Sequence, residues 1–325
     1  MKNNWAMEGT EDYKKINNIY PIKVSSHIEE IIDNEPVRIQ FYPQKEELFE
    51  DNGIGAYFPE EKHLTSILVS KYPNRCMIYT TGKCFAHCRH CSRKEEWKNN
   101  IIFSEYKFTE ACNYIKNHSR FEEVILTGGD FLCNTDEQIK FMLETITQIK
   151  HIRVVRIGTR CFTSNPERIT DELCEIVKKF PRVVVCTQFN SEFEFTEKSI
   201  NALRKIQRLG IPVLNQAVLL KGVNDTVEKL RNLVLKCVEN RVIPYYLFHC
   251  FNVKGVRHLR TDPKSGIELT HGLVGNIGGW WIPRYVIIPT ETGIKVPLYP
   301  NGLITINDDN TLTVKDFKER TIIYD

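Results

Sequence analysis

What most constrains this chain is a rhythm between residues 76 and 250, where short β-rich apolar runs alternate with amphipathic helical stretches. The runs are CMIYTT, EVILTG, RVVRIGT, RVVVCTQ, PVLNQAVLL and VIPYYLFH. After the second, their starts recur at roughly 30 residues, the length of one βα unit. Between them, Ile139, Met142, Leu143, Ile146 and Ile149 follow the 3.6-residue period of a helix behind Asp136. Leu173, Ile176, Val177 and Phe180 do the same behind Thr170. Near-continuous apolar strands separated by helices predict a parallel sheet covered by helices. Six units can be counted, two short of a complete eight-stranded barrel. The expectation is an α/β fold, an open partial (β/α)6 TIM-like barrel over residues 71–262. A doubly wound sheet is the alternative, but no GxGxxG turn follows the first strand.

Length and composition agree with this and decide little more: 325 residues, 42% of them hydrophobic, suffice for one large domain or two ordinary ones. Residues 1–70 mix helical and extended signals around Pro36, Pro43 and Pro59 and carry no chemical motif, so they are expected to cap the barrel or contact a second copy. After Pro263 the rhythm fades into one possible helix and the short runs RYVIIP, IKVPLYP, LITIN, TLTVKD and TIIYD. Residues 263–325 are therefore read as a β-rich segment folding over the open side or mouth of the barrel. The balance of 44 basic against 41 acidic residues, without blocks of like charge, recommends neither nucleic acid nor a membrane surface as partner.

The first strand runs into Cys84-Phe85-Ala86-His87-Cys88-Arg89-His90-Cys91, three cysteines at CxxxCxxC spacing. Three thiolates can hold three corners of a cuboidal 4Fe-4S cluster, whereas an electron-transfer cluster is usually closed by four. The open iron suits a chelating ligand, and S-adenosylmethionine offers an amino and a carboxylate group. A zinc site or three buried thiols are the plainer alternatives; zinc usually wants four ligands, often in CxxC pairs, and no fourth cysteine follows at compact spacing. The other eight cysteines are scattered at no ligand spacing, which suits small core residues. A polar start and the lack of a membrane-length apolar run point to a reducing cytoplasm rather than a disulfide framework.

Cys84, Cys88 and Cys91 look like the radical S-adenosylmethionine signature, and the wider run YPNRCMIYTTGKCFAHCRHCSRK resembles the lysine 2,3-aminomutase family. The likeness extends over about residues 70 to 300, through RIGTR, PERIT, VLLKGVND and PYYLFHC. It implies a 4Fe-4S cluster, S-adenosylmethionine and pyridoxal 5'-phosphate as cofactors. Lys295 in TETGIKVP matches the lysine that carries the pyridoxal group, although the family's glycine-rich run before it is reduced to Gly293. Tyr72 and Arg75 match residues around the pyridoxal ring and its phosphate. Arg93 matches the arginine that holds the substrate α-carboxylate, a task that a guanidinium performs bidentately. Gly128, Gly129 and Asp130 match the segment at the amino end of S-adenosylmethionine; a strand-to-loop turn is the plainer account of them. Gln216 matches a residue near the cofactors, and Gln188 replaces a family histidine.

The resemblance thus implies an isomerase, an amino acid 2,3-aminomutase that makes a β-amino acid from a free amino acid, served by a reduced flavodoxin or ferredoxin-type electron donor. In the lysine enzymes two aspartates bind the distal ammonium, and Phe251 and Ile288 stand at those positions here. An ammonium between them would lose its ion pairs and keep a desolvation penalty of several kcal/mol, roughly a thousandfold in affinity. The substrate is therefore expected to have an uncharged, preferably hydrophobic, side chain and not to be lysine. His249, Asn252 and Glu291 keep a polar neutral substrate open, and Lys254 an acidic one. Thr226 stands where a zinc-ligand cysteine is expected, and the chain stops at Asp325 before the family's cysteine-rich extension, so a homo-oligomer without zinc, a dimer, is expected. Two alternatives are modification of a translation-factor lysine, against which Arg93 argues, and a non-catalytic Fe-S or zinc-binding protein.

Overall fold

The computed structural model describes residues 5–49, 53, 61–98, 101–298, 303–307, 309, 311–316 and 318–324; Asp325 and the end of IKVPLYP lie outside them. The amino-terminal segment is helical: α1 (Glu11–Ile19), α2 (Ser26–Ile31) and α3 (Glu35–Phe41). The Thr10 and Ser25 hydroxyls begin the first two by accepting from the amides of Tyr13 and Ile28. Two strands, β1 (Lys62–His63) and β2 (Leu68–Tyr72), then lead antiparallel into β3 (Arg75–Thr81).

From β3 the expected rhythm unfolds as α4 (Glu105–Lys116), β4 (Glu123–Gly128), α5 (Asp136–Thr147), β5 (Val154–Gly158), α6 (Cys161–Ser164) and α7 (Asp171–Val177). It continues through β6 (Val183–Thr187), α8 (Glu197–Arg208), β7 (Val213–Leu219), α9 (Val227–Glu239) and β8 (Ile243–His249). All six apolar runs form strands, and each pairs parallel with the next. On α5, Ile139, Met142, Leu143 and Ile146 are buried against the sheet, the face that their spacing predicts. Burying each such side chain contributes about 1.5–3 kcal/mol. Helix α9 starts on Thr226, whose hydroxyl accepts from Lys229 N at 3.2 Å.

The parallel run does not stop at β8. Helix α10 (Pro263–Leu273) returns the chain so that β9 (Arg284–Ile287) pairs parallel with β8, Tyr246 opposite Arg284, and β10 (Val296–Leu298) folds back antiparallel on β9. The β8 edge is thereby covered, and Tyr285 and Val286 are buried. One sheet, β1 to β10 in sequence order, crosses residues 70 and 262 without a break. The expected six-unit partial barrel is thus present and is extended by a seventh parallel strand. The remaining strands, β11 (Leu303–Ile306), β12 (Leu312–Lys315) and β13 (Thr321–Tyr324), form a separate antiparallel sheet. Among the described residues no helix is long and apolar enough to cross a membrane.

Candidate active site

Parallel strands deliver their following residues to one common mouth, and here a cavity of about 420 Å³ opens there. The cysteine loop follows β3, Gly129 and Asp130 follow β4, Arg160 follows β5 and Gln188 follows β6. Phe251 comes after β8, and Ile288 and Lys295 after β9. Gln216 projects from β7 itself, while Tyr72, Arg75 and Arg93 complete the wall. The structure therefore gathers Cys84, Cys88, Cys91 and ten of the other expected residues around one space, and leaves Gly128 off its lining.

Gly128 has φ +134°, and a Cβ on it would stand 2.3 Å from the Thr81 carbonyl oxygen. The Gly129 amide donates to Thr81 O at 2.6 Å and the Asp130 amide to Lys83 O at 2.7 Å. These glycines let β4 close against the backbone that launches the cysteine loop. The Asp130 carboxylate is buried and accepts from Thr159 Oγ1 (2.7 Å), Arg160 N (2.7 Å) and Leu132 N (3.0 Å). Its oxygens order the β4 and β5 ends around the cavity.

Two buried anchors hold the cysteine loop from the amino-terminal segment. Glu47 accepts from Arg89 Nε at 3.1 Å and Lys94 Nζ at 2.6 Å, and the Arg89 amide donates to Gln40 O at 2.7 Å. Burial alone would raise the Glu47 carboxyl, but Lys94 and Arg89 hold it down at about 2. The Lys23 ammonium donates to Cys84 O at 2.6 Å. Burial, helped by Cys88, pushes the Cys91 thiol up to about 11, and Cys84 is raised by burial too, so loading a metal group must expel protons. The donor set, three soft thiolates on one loop beside an open cavity, fits an iron-sulfur cluster with a free corner. Among the described residues no three His, Cys, Asp or Glu side chains converge on a point for a single ion; a cuboidal cluster needs no such convergence, because each thiolate takes a different iron.

The other end of the cavity suits pyridoxal phosphate. The Lys295 amine lies 5.5–5.8 Å from the ring centres of Tyr72, Tyr246 and Phe248. Burial, with the charges of Arg75, Arg156 and Lys71, pushes it down to about 8. A less basic amine is the form that adds to an aldehyde. The Tyr72 hydroxyl accepts from the Lys295 amide at 2.9 Å, and the Arg75 guanidinium stacks on the Tyr72 ring at 3.8 Å, a donor suited to a phosphate. Gly293, with φ +68°, makes the turn into this lysine with its amide bonded to Pro289 O at 2.8 Å. Arg93 stacks on Tyr79 at 3.9 Å and pairs with Glu96.

Gln188 donates its amide to His90 Nε2 at 2.8 Å, and Gln216 lies beside the Cys186 thiol. Phe251 and Ile288 pack with Val218 and Phe248 in one apolar cluster. Arg160 and the Lys71–Glu61 pair on the wall escaped sequence reasoning. Arg160 carried a usable signal, since RIGTR closes the third apolar run. Lys71 precedes YPNR without any such mark.

Residues 78–234 match the Radical SAM superfamily. Over 313 residues the chain is 35% identical to the L-lysine 2,3-aminomutase of Methanococcus maripaludis, covering 94% of this chain and 72% of that protein. It is 35% identical to the L-lysine 2,3-aminomutase of Clostridium subterminale over 86% of this chain and 68% of that one. Its identity to the glutamate 2,3-aminomutase of Clostridioides difficile is 32%, over 92% of this chain and 72% of that protein. The crystal structure of Streptococcus suis SuiB shares the fold, at a TM-score of 0.51 and 16% identity, over 68% of this chain and 50% of that one. Superfamily membership implies S-adenosylmethionine and a 4Fe-4S cluster, the groups that the cysteine loop fits. With relatives of both specificities matching almost its whole length, this chain belongs to the radical S-adenosylmethionine amino acid 2,3-aminomutase family, a family of isomerases.

Proposed function

We propose that this protein is a pyridoxal-phosphate-dependent amino acid 2,3-aminomutase that acts on a free L-α-amino acid with an uncharged, hydrophobic side chain, and not on lysine. The observation that carries the specificity is the composition of the cavity wall. Phe251 and Ile288 face the space together with Val218 and Phe248. His249, Asn252, Lys254 and Glu291, the residues that would favour a polar or acidic substrate, do not line it. Asn252 Oδ1 accepts from Arg260 Nη1 at 2.9 Å, and Lys254 pairs with Glu95 at 3.9 Å. The carboxylates on the described wall are Glu61 and Asp130. Glu61 is engaged by Lys71 at 3.2 Å and the Tyr79 hydroxyl at 3.1 Å, and Asp130 by its three donors. A distal ammonium would thus be desolvated without a counterion.

In this reading Cys84, Cys88 and Cys91 hold the cluster, Lys295 holds the pyridoxal group, and Tyr72 and Arg75 fix its ring and phosphate. Arg93 exchanges Glu96 for the substrate α-carboxylate. When bound, the reduced cluster with S-adenosylmethionine would supply a hydrogen-abstracting radical and pyridoxal phosphate a carbonyl to carry the migrating nitrogen; the protein supplies placement and exclusion of water. All eleven cysteines are free, which supports a reducing, cytoplasmic setting with a flavodoxin or ferredoxin-type reductant. Thr226 caps α9 with its hydroxyl where a zinc-ligand thiolate is expected, and we take the protein to be a homo-oligomer, a dimer, without zinc. The test is anaerobic reconstitution followed by a panel of amino acids read for β-amino products by mass spectrometry. Aliphatic or aromatic substrates should convert fastest; lysine as the best substrate would refute the specificity.

A further inference from the structure

We infer that Arg160 is a positioning residue for the cluster, donating to the Cys88 sulfur and so raising the cluster's reduction potential, with Gln40 and Glu194 holding it in place. The inference rests on the cysteine loop being the cluster site. The Arg160 guanidinium is buried, and its Nη1 lies 2.8 Å from Cys88 Sγ. Its Nε donates to Gln188 O at 3.2 Å, and its Nη2 to Glu194 Oε2 at 3.1 Å and to Gln40 Oε1. The plane rests on the Phe41 ring at 4.5 Å. Each of the three nitrogens is thereby engaged, and one of the four acceptors is a cluster sulfur.

The surroundings are built to keep that direction. Gln40, fully buried on α3, donates to Glu194 Oε1 at 2.8 Å and to Pro36 O at 2.9 Å, and its oxygen also accepts from Asn190 Nδ2 at 2.9 Å. Glu194 accepts in addition from the amides of Asn190 and Ser191 at 3.0 and 2.9 Å and from Thr163 Oγ1 at 3.0 Å. The carboxylate therefore cannot swing to meet the guanidinium elsewhere. An arginine whose only task was to join α3 to the barrel would need Gln40 and Glu194 alone. The ion pair is instead oriented with its positive end on the sulfur, where charge increases as the cluster gains an electron. N–H donors on cluster sulfurs are a recognised lever on potential, and a positive group stabilises the reduced form.

Two variants test this under anaerobic reconstitution. Arg160→Lys keeps one charge against Glu194, but a single ammonium cannot serve the carboxylate and the sulfur together. Arg160→Met combined with Glu194→Gln removes both charges, so neither is left buried alone. Iron content and the spectrum of the reduced cluster establish loading, and a redox titration followed by electron paramagnetic resonance gives the midpoint. Both variants should retain four irons per chain and titrate at more negative potential than the unmodified protein, the double variant by more. Should the double variant not fold, the lysine variant decides alone. A lysine-variant midpoint equal to that of the unmodified protein would overturn the inference, and so would an equal midpoint with weakened S-adenosylmethionine binding, which would assign the guanidinium to that ligand instead. An unmodified protein that loads no cluster would refute the cluster site itself, a separate failure.

Discussion

At the scale of single residues, the site is made by displacing side chains from their ordinary chemistry. Lys295 shows this most directly: burial among Tyr72, Tyr246 and Phe248 leaves the charged amine poorly solvated, and Arg75 opposes it further. Its folded value of about 8 lies below the usual 10.5 for lysine, so the neutral amine accumulates as the pH rises through 8. The rate at which pyridoxal phosphate adds to cofactor-free protein, followed by its absorbance and trapped on Lys295 with borohydride, should climb between about pH 7 and 9 and then level off. A half-rise near 10.5 would show that the amine is not desolvated, and label on another lysine would remove its role. Gly128 is the contrasting case, since close approach of a backbone is legible in a pair of glycines but the identity of what approaches is not. At Gly128 it is Thr81 of the neighbouring strand.

At the scale of elements, the six apolar runs and the helical faces between them were legible because a buried parallel strand and a half-buried helix each impose a period on their own residues. The order of site residues followed, since a strand's end in sequence is also its end in space. What escaped was set by partners far along the chain. RYVIIP reads as another short apolar run, and only pairing with β8 makes it a seventh parallel strand. Gln40 and Glu47 read as ordinary polar residues of a cap, yet Gln40 meets Glu194 and Glu47 meets Arg89 and Lys94 out of solvent. The amino-terminal segment is thus a brace on the cysteine loop. Glu47→Gln would leave two buried cations facing an amide, and such broken pairs cost about 3–5 kcal/mol. Urea unfolding should show that loss. Adding Lys94→Met, which removes one of the stranded charges, should recover part of it; equal stability of Glu47→Gln and the unmodified protein would mean that the network is not what secures the loop.

For the whole molecule, these braces and the sheet act as one cooperative body, and acid should open it through histidines that it keeps uncharged. His249 and His258 are each held down at about 4, by burial first, with Arg260 adding to it at His249 and Lys94 and Arg89 at His258. Asp262 beside the former and Glu47 and Glu46 beside the latter oppose the shift without cancelling it. The Tyr285 hydroxyl donates to Pro263 O at 3.0 Å, so His249 Nδ1 donates to it at 2.9 Å, and neither ring's Nε2 has a hydrogen-bond partner among the described residues. Both residues recover their ordinary value of 6.5 when the chain unfolds, so between pH 6.5 and 4 the unfolded state binds more protons. Stability is then complete above pH 6.5 and falls as the pH drops toward 4, these two rings giving a slope of up to about 2.5 kcal/mol per unit near pH 5; burial lowers His90, His27 and His87 as well, which steepens the decline. Above pH 5 most carboxylates have yet to titrate, so the histidines dominate there. Asp130, whose acid burial raises, works in the opposite direction and softens the lower end of the curve. Unfolding free energies of the reconstituted protein, measured anaerobically in urea from pH 7 to 5, should show this decline, and His258→Gln should reduce its slope by up to about 1.4 kcal/mol per unit, one proton's share. A curve that stays flat over that range would mean that the two rings are already charged in the folded protein.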